Sequence, residues 1–280
     1  MRQTQLLAFL VLSVVAISHA QQMDSTRDEG IARKIYQGAV ESIAWYDVPI
    51  ALADVAELIA VSPNATGKPI QYPPTTFDRD LNAHVGVHGT QTIIGRMGDA
   101  GLAGVFGLRL LVNVGSDLAG GDVTSEDYHR TFWFYKSLVY TYSLTALTKD
   151  LVERERPDGS DNQSFFSGHS SASFCAASYL SLELNDWYDR WEVTRSDDGL
   201  RSTLKVGTDV ALYAGATYVA YSRLHDEKHY FSDVAVGAVV GTIVGNLMYR
   251  WHWTSDGSPR LNVSFFVVRD TPTMYCSLQF

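Results

Sequence analysis

Apolar residues recur at helical spacing along most of the chain. Between Asp24 and about Leu58 the apolar set includes Ile35, Ala39, Ile43 and Val48, which predicts a helix. Val61 to Asp80 carries Pro63, Pro69, Pro73 and Pro74 and reads as a loop. Leu81–Thr92 and Gly101–Val114 predict short helices rich in small residues. Thr124–Glu155 predicts one or two helices with Phe132, Phe134, Tyr135 and Leu138 among the apolar positions. Pro157 stops that run, because proline has no N–H to continue it. A polar loop, Asp158–Phe166, leads to a predicted helix over Ser170–Leu184. The charged stretch Asp186–Ser202 contains Trp187 and Trp191, and Thr203–Arg223 and Tyr230–Tyr249 predict two further helices. In the last of these, Gly237, Gly241 and Gly245 recur every four residues, a spacing that lets two helix backbones approach closely inside a bundle.

The period changes at the C-terminus. Leu261, Val263, Phe265 and Val267 alternate with their neighbours, as do Met274, Cys276, Leu278 and Phe280, with Pro272 between the runs. This predicts a β-hairpin packed on the helices, since one hairpin cannot close a barrel of eight or more strands. The fold class expected is mainly α, a helical bundle with a C-terminal hairpin. Its divisions are a leader over residues 1–20, an N-terminal helical part over 21–123, a helical core over 124–255 and a tail over 256–280. The longest uninterrupted apolar stretch, Val234–Tyr249, is short of the ~20 residues that span a bilayer. Other helices carry Lys136, Lys205 and Asp209, and the mean hydropathy is -0.06, so a soluble bundle is favoured over a polytopic one.

The leader changes the expected location. Arg2, the apolar run Leu6–Ile17 and the small residues of Ser18-His19-Ala20 form a signal-peptide pattern, with Gln21 opening the mature chain. An exported protein follows, with the periplasm as the first choice and secretion or membrane association as alternatives. Cys175 and Cys276 can pair in such a compartment or remain as thiols. Asn64, Asn162 and Asn262 lie in glycosylation sequons. The formal net charge of -9 argues against a nucleic-acid binder, which needs a basic face.

Three clusters carry candidate chemistry. Lys149, six residues, then Arg156-Pro157 is the first, and its spacing is about two helical turns. Ser167-Gly168-His169 at a helix start is the second; unpaired N–H groups and the dipole make such a start an anion site. Ser222-Arg223, five residues, His229, three residues, Asp233 is the third. There a carboxylate one turn from an imidazole can accept from one ring nitrogen and leave the other bare as a nucleophile. Taken singly, each cluster has a plain reading: a solvated basic face, an N-cap by Ser170, and a solvated His–Asp pair.

In this order the ten positions resemble the three-part signature of the type 2 phosphatidic acid phosphatase and vanadium haloperoxidase superfamily. Phe166 stands where that family usually has proline before Ser-Gly-His. The resemblance covers Lys149 to Asp233 and implies a phosphatase of the phosphoric monoester class. It implies that Lys149, Arg156, Arg223, Ser167 and the Gly168 N–H bind phosphate, and that His229 attacks phosphorus to give a phosphohistidine. Asp233 would orient His229, and His169 would protonate the leaving oxygen and then activate water. No metal or other cofactor is expected, and vanadate is expected to bind as an inhibitor. The partner expected is a phosphate ester, either a lipid phosphate or a small soluble one; Trp187, Tyr188 and Trp191, or Trp251 and Trp253, either cap the core, the commoner role of such residues, or make peripheral membrane contact. Alternative readings are a vanadium haloperoxidase, a zinc site built on His84 and His88 or His225 and His229, and a non-catalytic envelope protein that keeps the fold.

Overall fold

The computed structural model describes residues 30–44, 47, 72–253, 261–268 and 271–278, with the main chain alone described for 94–103 and the last two segments. The expected signal peptide, Asn64 and the prolines Pro63 and Pro69 lie outside the described residues. Eight helices are described: α1 Ile31–Glu41, α2 Thr76–Val85, α3 Ile93–Leu118, α4 Ser125–Val152, α5 Gly168–Arg190, α6 Glu192–Arg195, α7 Asp198–His225 and α8 Phe231–His252. The predicted tail hairpin falls where no side chain is described. Its main chain over β1 Leu261–Val268 and β2 Thr271–Leu278 pairs antiparallel, and its expected seating on the helices, like the side chain of Cys276, lies outside the described residues.

Helix ends depart from the sequence expectation for local reasons. Helix α2 starts at Thr76, inside the segment read as loop. Thr75 caps it by accepting the Asp78 N–H at 3.0 Å, and Asp78 accepts the Thr75 N–H at 3.1 Å, a reciprocal box that outweighs the flanking prolines. Helix α4 stops at Val152, five residues before Pro157, because Glu153 takes a left-handed conformation (φ 45°) while its N–H still reaches the Lys149 carbonyl at 3.0 Å. Helix α7 begins at Asp198 because Asp197 caps the Leu200 N–H at 2.9 Å, extending it into the charged stretch before the predicted helix.

By its internal contacts the chain divides into two compact units: Met1–Ala56, Gly104–Val139 and Leu261–Phe280 in one, Glu57–Ala103 and Tyr140–Arg260 in the other. In the first, Gly38 of α1 lies against Tyr128 and the His129 main chain of α4, so close that a Cβ would sit 2.5 Å from the His129 nitrogen. Lys136 is buried there over the Trp133 ring and bonds Asp47 at 2.8 Å and the Ser42 carbonyl at 2.9 Å. Burial lowers its ammonium to about 8 against the attraction of Asp47.

The second unit is organised round α5, which packs most extensively on α8 and next on α7. The glycine stripe of α8 makes the first contact possible. A Cβ on Gly241 would lie 1.9 Å from the Ser171 carbonyl oxygen, and Gly237 and Gly245 meet the Ser167 and Cys175 carbonyls in the same way. The side of α5 that meets α8 and α7 is therefore built of small residues: Ser170, Ser171, Cys175, Ala176 and Ser178 are buried. Asp209 of α7 is held by Ser181 at 2.6 Å and by Asn185, and Lys205 by Asp189 at 2.7 Å. Of the charges that spoke against a membrane segment, Lys205 and Asp209 are thus satisfied by α5, and Lys136 by Asp47.

Helix α8 runs 22 residues, longer than its apolar stretch, and among the described residues it is the one helix long and apolar enough to cross a membrane. Only 28% of its most apolar window is buried, and Val239, Ile243 and Leu247 are exposed along one face. The tryptophans divide. Trp187 and Trp191 stack at 4.8 Å and are partly exposed, and Trp251 is 74% exposed. Trp253 is buried with its indole N–H on the Tyr179 hydroxyl at 3.0 Å, so it is a core residue and not part of a surface patch.

Because the Ser171 carbonyl cannot yield to a methyl group, Gly241→Ala is expected to destabilise the protein by about 1–3 kcal/mol. Gly207→Ala, on an open face of α7 where nothing lies within 4 Å, is expected to be neutral or to stabilise by up to about 1 kcal/mol. Denaturant unfolding of the two variants beside wild type checks both signs.

Candidate active site

The eight residues given a role in the three clusters all lie in the second unit, at or beside the ends of four helices. Lys149 is in the last turn of α4, buried, and donates to the Gln163 carbonyl. Arg156 follows in the loop after α4. Its Nε bonds Asp161 at 2.6 Å and its Nη1 bonds the Lys228 carbonyl at 3.0 Å, with the same nitrogen 3.5 Å from His229 Nε2. Arg223, buried in the last turn of α7, lies 3.7 Å from Asp226. That carboxylate also accepts the Thr92 N–H at 2.9 Å and hydroxyl at 3.0 Å. Ser167 caps α5, with Gly168 and His169 as its first helical residues, so their N–H groups open the positive end of the helix. The Ser167 N–H itself donates to the Asp233 carbonyl at 3.1 Å, which ties the start of α5 to the start of α8.

His229 precedes α8 and is 2% exposed. Its Nδ1 lies 2.7 Å from the Ser164 carbonyl oxygen. A carbonyl can only accept, so Nδ1 carries the proton and Nε2 is left bare, facing the Arg156 guanidinium. Burial lowers the imidazole pKa well below its ordinary value, and the positive charges of Lys149, Arg156, Arg223 and His169 lower it further. The imidazole is therefore held neutral, and its bare nitrogen lies beside the Arg156 guanidinium.

Asp233 sits differently from the sequence expectation. Its Oδ2 is 3.9 Å from His229 Nδ1, beyond hydrogen bonding, so the acceptor that fixes the tautomer is the Ser164 carbonyl. The reason is local. Asp233 is the third residue of α8, and its carboxylate takes the Tyr230 N–H at 2.8 Å, the Ser164 hydroxyl at 2.5 Å and the Arg154 guanidinium. Burial pushes the Asp233 carboxyl up, and those donors pull it back towards the ionised form they require.

Three residues that sequence reasoning did not single out enter the site. Ser164 supplies the acceptor for His229. Arg154 bridges Asp233 and Asp78, and Asp78 reaches in from α2. The Thr75-x-x-Asp78 spacing is a helix-start signal and was the available clue to Asp78. Arg154 is hidden in the unspecified positions between Lys149 and Arg156, and Ser164 acts through its main chain, which sequence does not mark.

The histidines considered for zinc bond other groups, His225 Nδ1 lying 3.3 Å from Asp226. His84 Nδ1 bonds the Asp80 carbonyl at 2.6 Å, and His88 bonds Glu227 at 2.8 Å. Among the described residues no three His, Cys, Asp or Glu side chains converge as a metal site. An open polar cleft of about 480 Å³ is lined by His88, Thr90, Gln91, Asp158, Asp226 and Lys228. Phe166, at the position where proline was expected, is 3% exposed and follows a cis peptide.

Comparison with known proteins gives a consistent picture. The model of the PAP2 superfamily matches residues 130–256. A lipid A 1-phosphatase of Porphyromonas gingivalis is 34% identical over 106 residues, 37% of this chain and 19% of that protein. A PA-phosphatase related-family protein of Dictyostelium discoideum is 29% identical over 164 residues, 54% of this chain and 58% of that protein. Phospholipid phosphatase 2 of Bos taurus is 38% identical over 88 residues, 31% of this chain and 28% of that protein. The chain thus spans less than two thirds of the length of each of these relatives. No solved structure matches it.

The depressed His229 pKa has a consequence for stability. The unfolded chain binds a proton near 6.5 and the folded chain only at lower pH, so this group makes the protein less stable as pH falls below 6.5. In a 15N NMR titration His229 is expected to stay neutral at pH 6.5, with its midpoint well below that value. A midpoint at or above 6.5 would contradict the burial and charge argument.

Proposed function

From the membership of this chain in the PAP2 superfamily we infer that it is a phosphatase acting on lipid phosphates. The observation that carries this reading is the bare His229 Nε2, held neutral in a buried position with the Arg156 guanidinium beside it. An anionic phosphate repels nucleophiles, and the charges of Lys149, Arg156 and Arg223, with the Ser167 hydroxyl and Gly168 N–H, offset that repulsion. His229 Nε2 attacks phosphorus, the bond to the ester oxygen breaks, and His169 gives its proton to the departing alcohol. His169, now neutral, takes a proton from water, the oxygen attacks phosphorus, the P–N bond breaks and inorganic phosphate leaves. We propose that the three cations supply the charge stabilisation without a metal ion. Export to the periplasm remains part of the proposal through the leader sequence.

A lipid substrate is supported by the molecule's apolar surface as well as by its relatives. Val239, Ile243 and Leu247 of α8, and Val206 and Val210 of α7, are more than half exposed. Exposed apolar surface of this kind suits association with a membrane.

The purified protein is expected to release inorganic phosphate from a lipid phosphate in mixed micelles. Release should persist in a chelator and be inhibited by vanadate, whose five-coordinate form resembles the transition state. His229→Ala is expected to fall to background, and His169→Ala by about 10²- to 10⁴-fold. Quenching turnover into alkali should trap a phosphorylated protein in wild type and none in His229→Ala. Full turnover by His229→Ala, or no release from any phosphate ester, would end this reading.

A further inference from the structure

We propose that Arg154 is a positioning residue that sets the tautomer and aim of His229, working as a clamp with Asp78. The proposal rests on the phosphatase reading for its kinetic consequence and on geometry for its structural one. Arg154 is 1% exposed in its side chain, and its guanidinium spans two carboxylates from different helices. Nη2 bonds Asp78 of α2 at 2.9 Å, and Nη1 bonds Asp233 of α8 and the Ser232 hydroxyl at 2.8 Å. The rings of Tyr72 and Tyr230 lie 4.8 and 4.7 Å from its centre. The side-chain hydrogen bonds of Arg154 go to Asp78, Asp233 and Ser232, so it acts on His229 through them.

It acts through two routes that meet at Ser164. The Arg154 main-chain carbonyl accepts the Ser164 N–H at 2.9 Å. The Arg154 guanidinium holds the Asp233 carboxylate, which accepts the Ser164 hydroxyl at 2.5 Å. Ser164 is therefore fixed at its N–H and at its hydroxyl by the same residue, directly at one end and through Asp233 at the other. Its carbonyl is then the acceptor that holds the proton on His229 Nδ1. Asp78 completes the clamp. It accepts the Ser232 N–H at 2.9 Å and hydroxyl at 2.8 Å, so it also pins the first turn of α8, beside which His229 lies. Burial alone would raise its pKa, but the N–H groups of Ser232 and Thr75, the Ser232 hydroxyl and Arg154 outweigh burial and keep it ionised.

The alternative is that the cluster only stabilises the fold: one buried arginine between two buried aspartates, with no bearing on the imidazole. The two roles separate in measurement. A structural pair lowers the folded fraction and leaves each folded site as fast as before. A positioning clamp lowers the rate of each folded site, leaves phosphate binding intact, and changes the imidazole itself.

The test uses Asp78→Asn, which keeps the shape of the side chain, and Arg154→Met, which keeps its length. Active sites are counted by vanadate binding, turnover is measured on a lipid phosphate, and the 15N signals of His229 report its tautomer. In Asp78→Asn and Arg154→Met the turnover per site is expected to fall by about 10-fold and 100-fold, with KM within about twofold of wild type. The His229 signal is expected to change from the Nδ1–H form to a mixture of tautomers. Unchanged turnover per site with an unchanged tautomer overturns the proposal, as does a rise in KM alone, which would place Arg154 in phosphate binding. If Arg154→Met does not fold, Asp78→Asn decides. If wild type turns over nothing, the phosphatase reading fails, and the tautomer in the two variants alone then supports or overturns the clamp.

Discussion

The structure of the second unit depends on confining like charges. The positive charges of Lys149, Arg156 and Arg223 act on the buried His229 and depress its pKa, and cations gathered about one group repel one another. They stay together because each is anchored: Lys149 on the Gln163 carbonyl, Arg156 on Asp161 and the Lys228 carbonyl, Arg223 beside Asp226. The anchors come from loops and helix ends, and they in turn are held, as Asp226 is by Thr92. In the proposed function the substrate phosphate relieves the remaining repulsion, so binding energy is already stored in the arrangement of the protein.

The anchors stay in place only if α5 and α8 keep their separation and register. The glycine stripe brings the two backbones together, and the Ser167 N–H on the Asp233 carbonyl and the Ser170 hydroxyl on the Val234 carbonyl at 2.8 Å lock their starts. The start of α5 supplies Ser167, Gly168 and His169, and the start of α8 follows His229. Close helix packing and the chemistry of the site are therefore one constraint: a side chain in place of Gly241 would move both ends of the site.

Much of this was legible in the sequence, because the chemical groups cluster at fixed spacing. The helices that carry them were legible from apolar periodicity, and the glycine stripe pointed to a close helix contact before any partner for it was known. What escaped was set by three-dimensional neighbours. Asp233 stands one turn from His229 and seemed placed to bond it, yet its position at the third residue of α8 commits it to the Tyr230 N–H. Ser164 acts through a main-chain oxygen, which carries no sequence mark. The end of α4 was read from Pro157, whereas a left-handed Glu153 ends it earlier and turns Arg154 inward. The soluble-bundle expectation measured an apolar stretch, whereas the helix that contains it runs on to His252 and leaves an apolar face exposed.

The most direct measurement is a crystal structure of the protein with vanadate bound. Vanadium is expected on His229 Nε2, with its oxygens on Lys149, Arg156 and Arg223, the N–H groups opening α5 beneath them, and His169 on the side away from His229. Vanadium bonded elsewhere, or a His229 that has turned so that Nδ1 and not Nε2 faces the anion, would contradict the central claim.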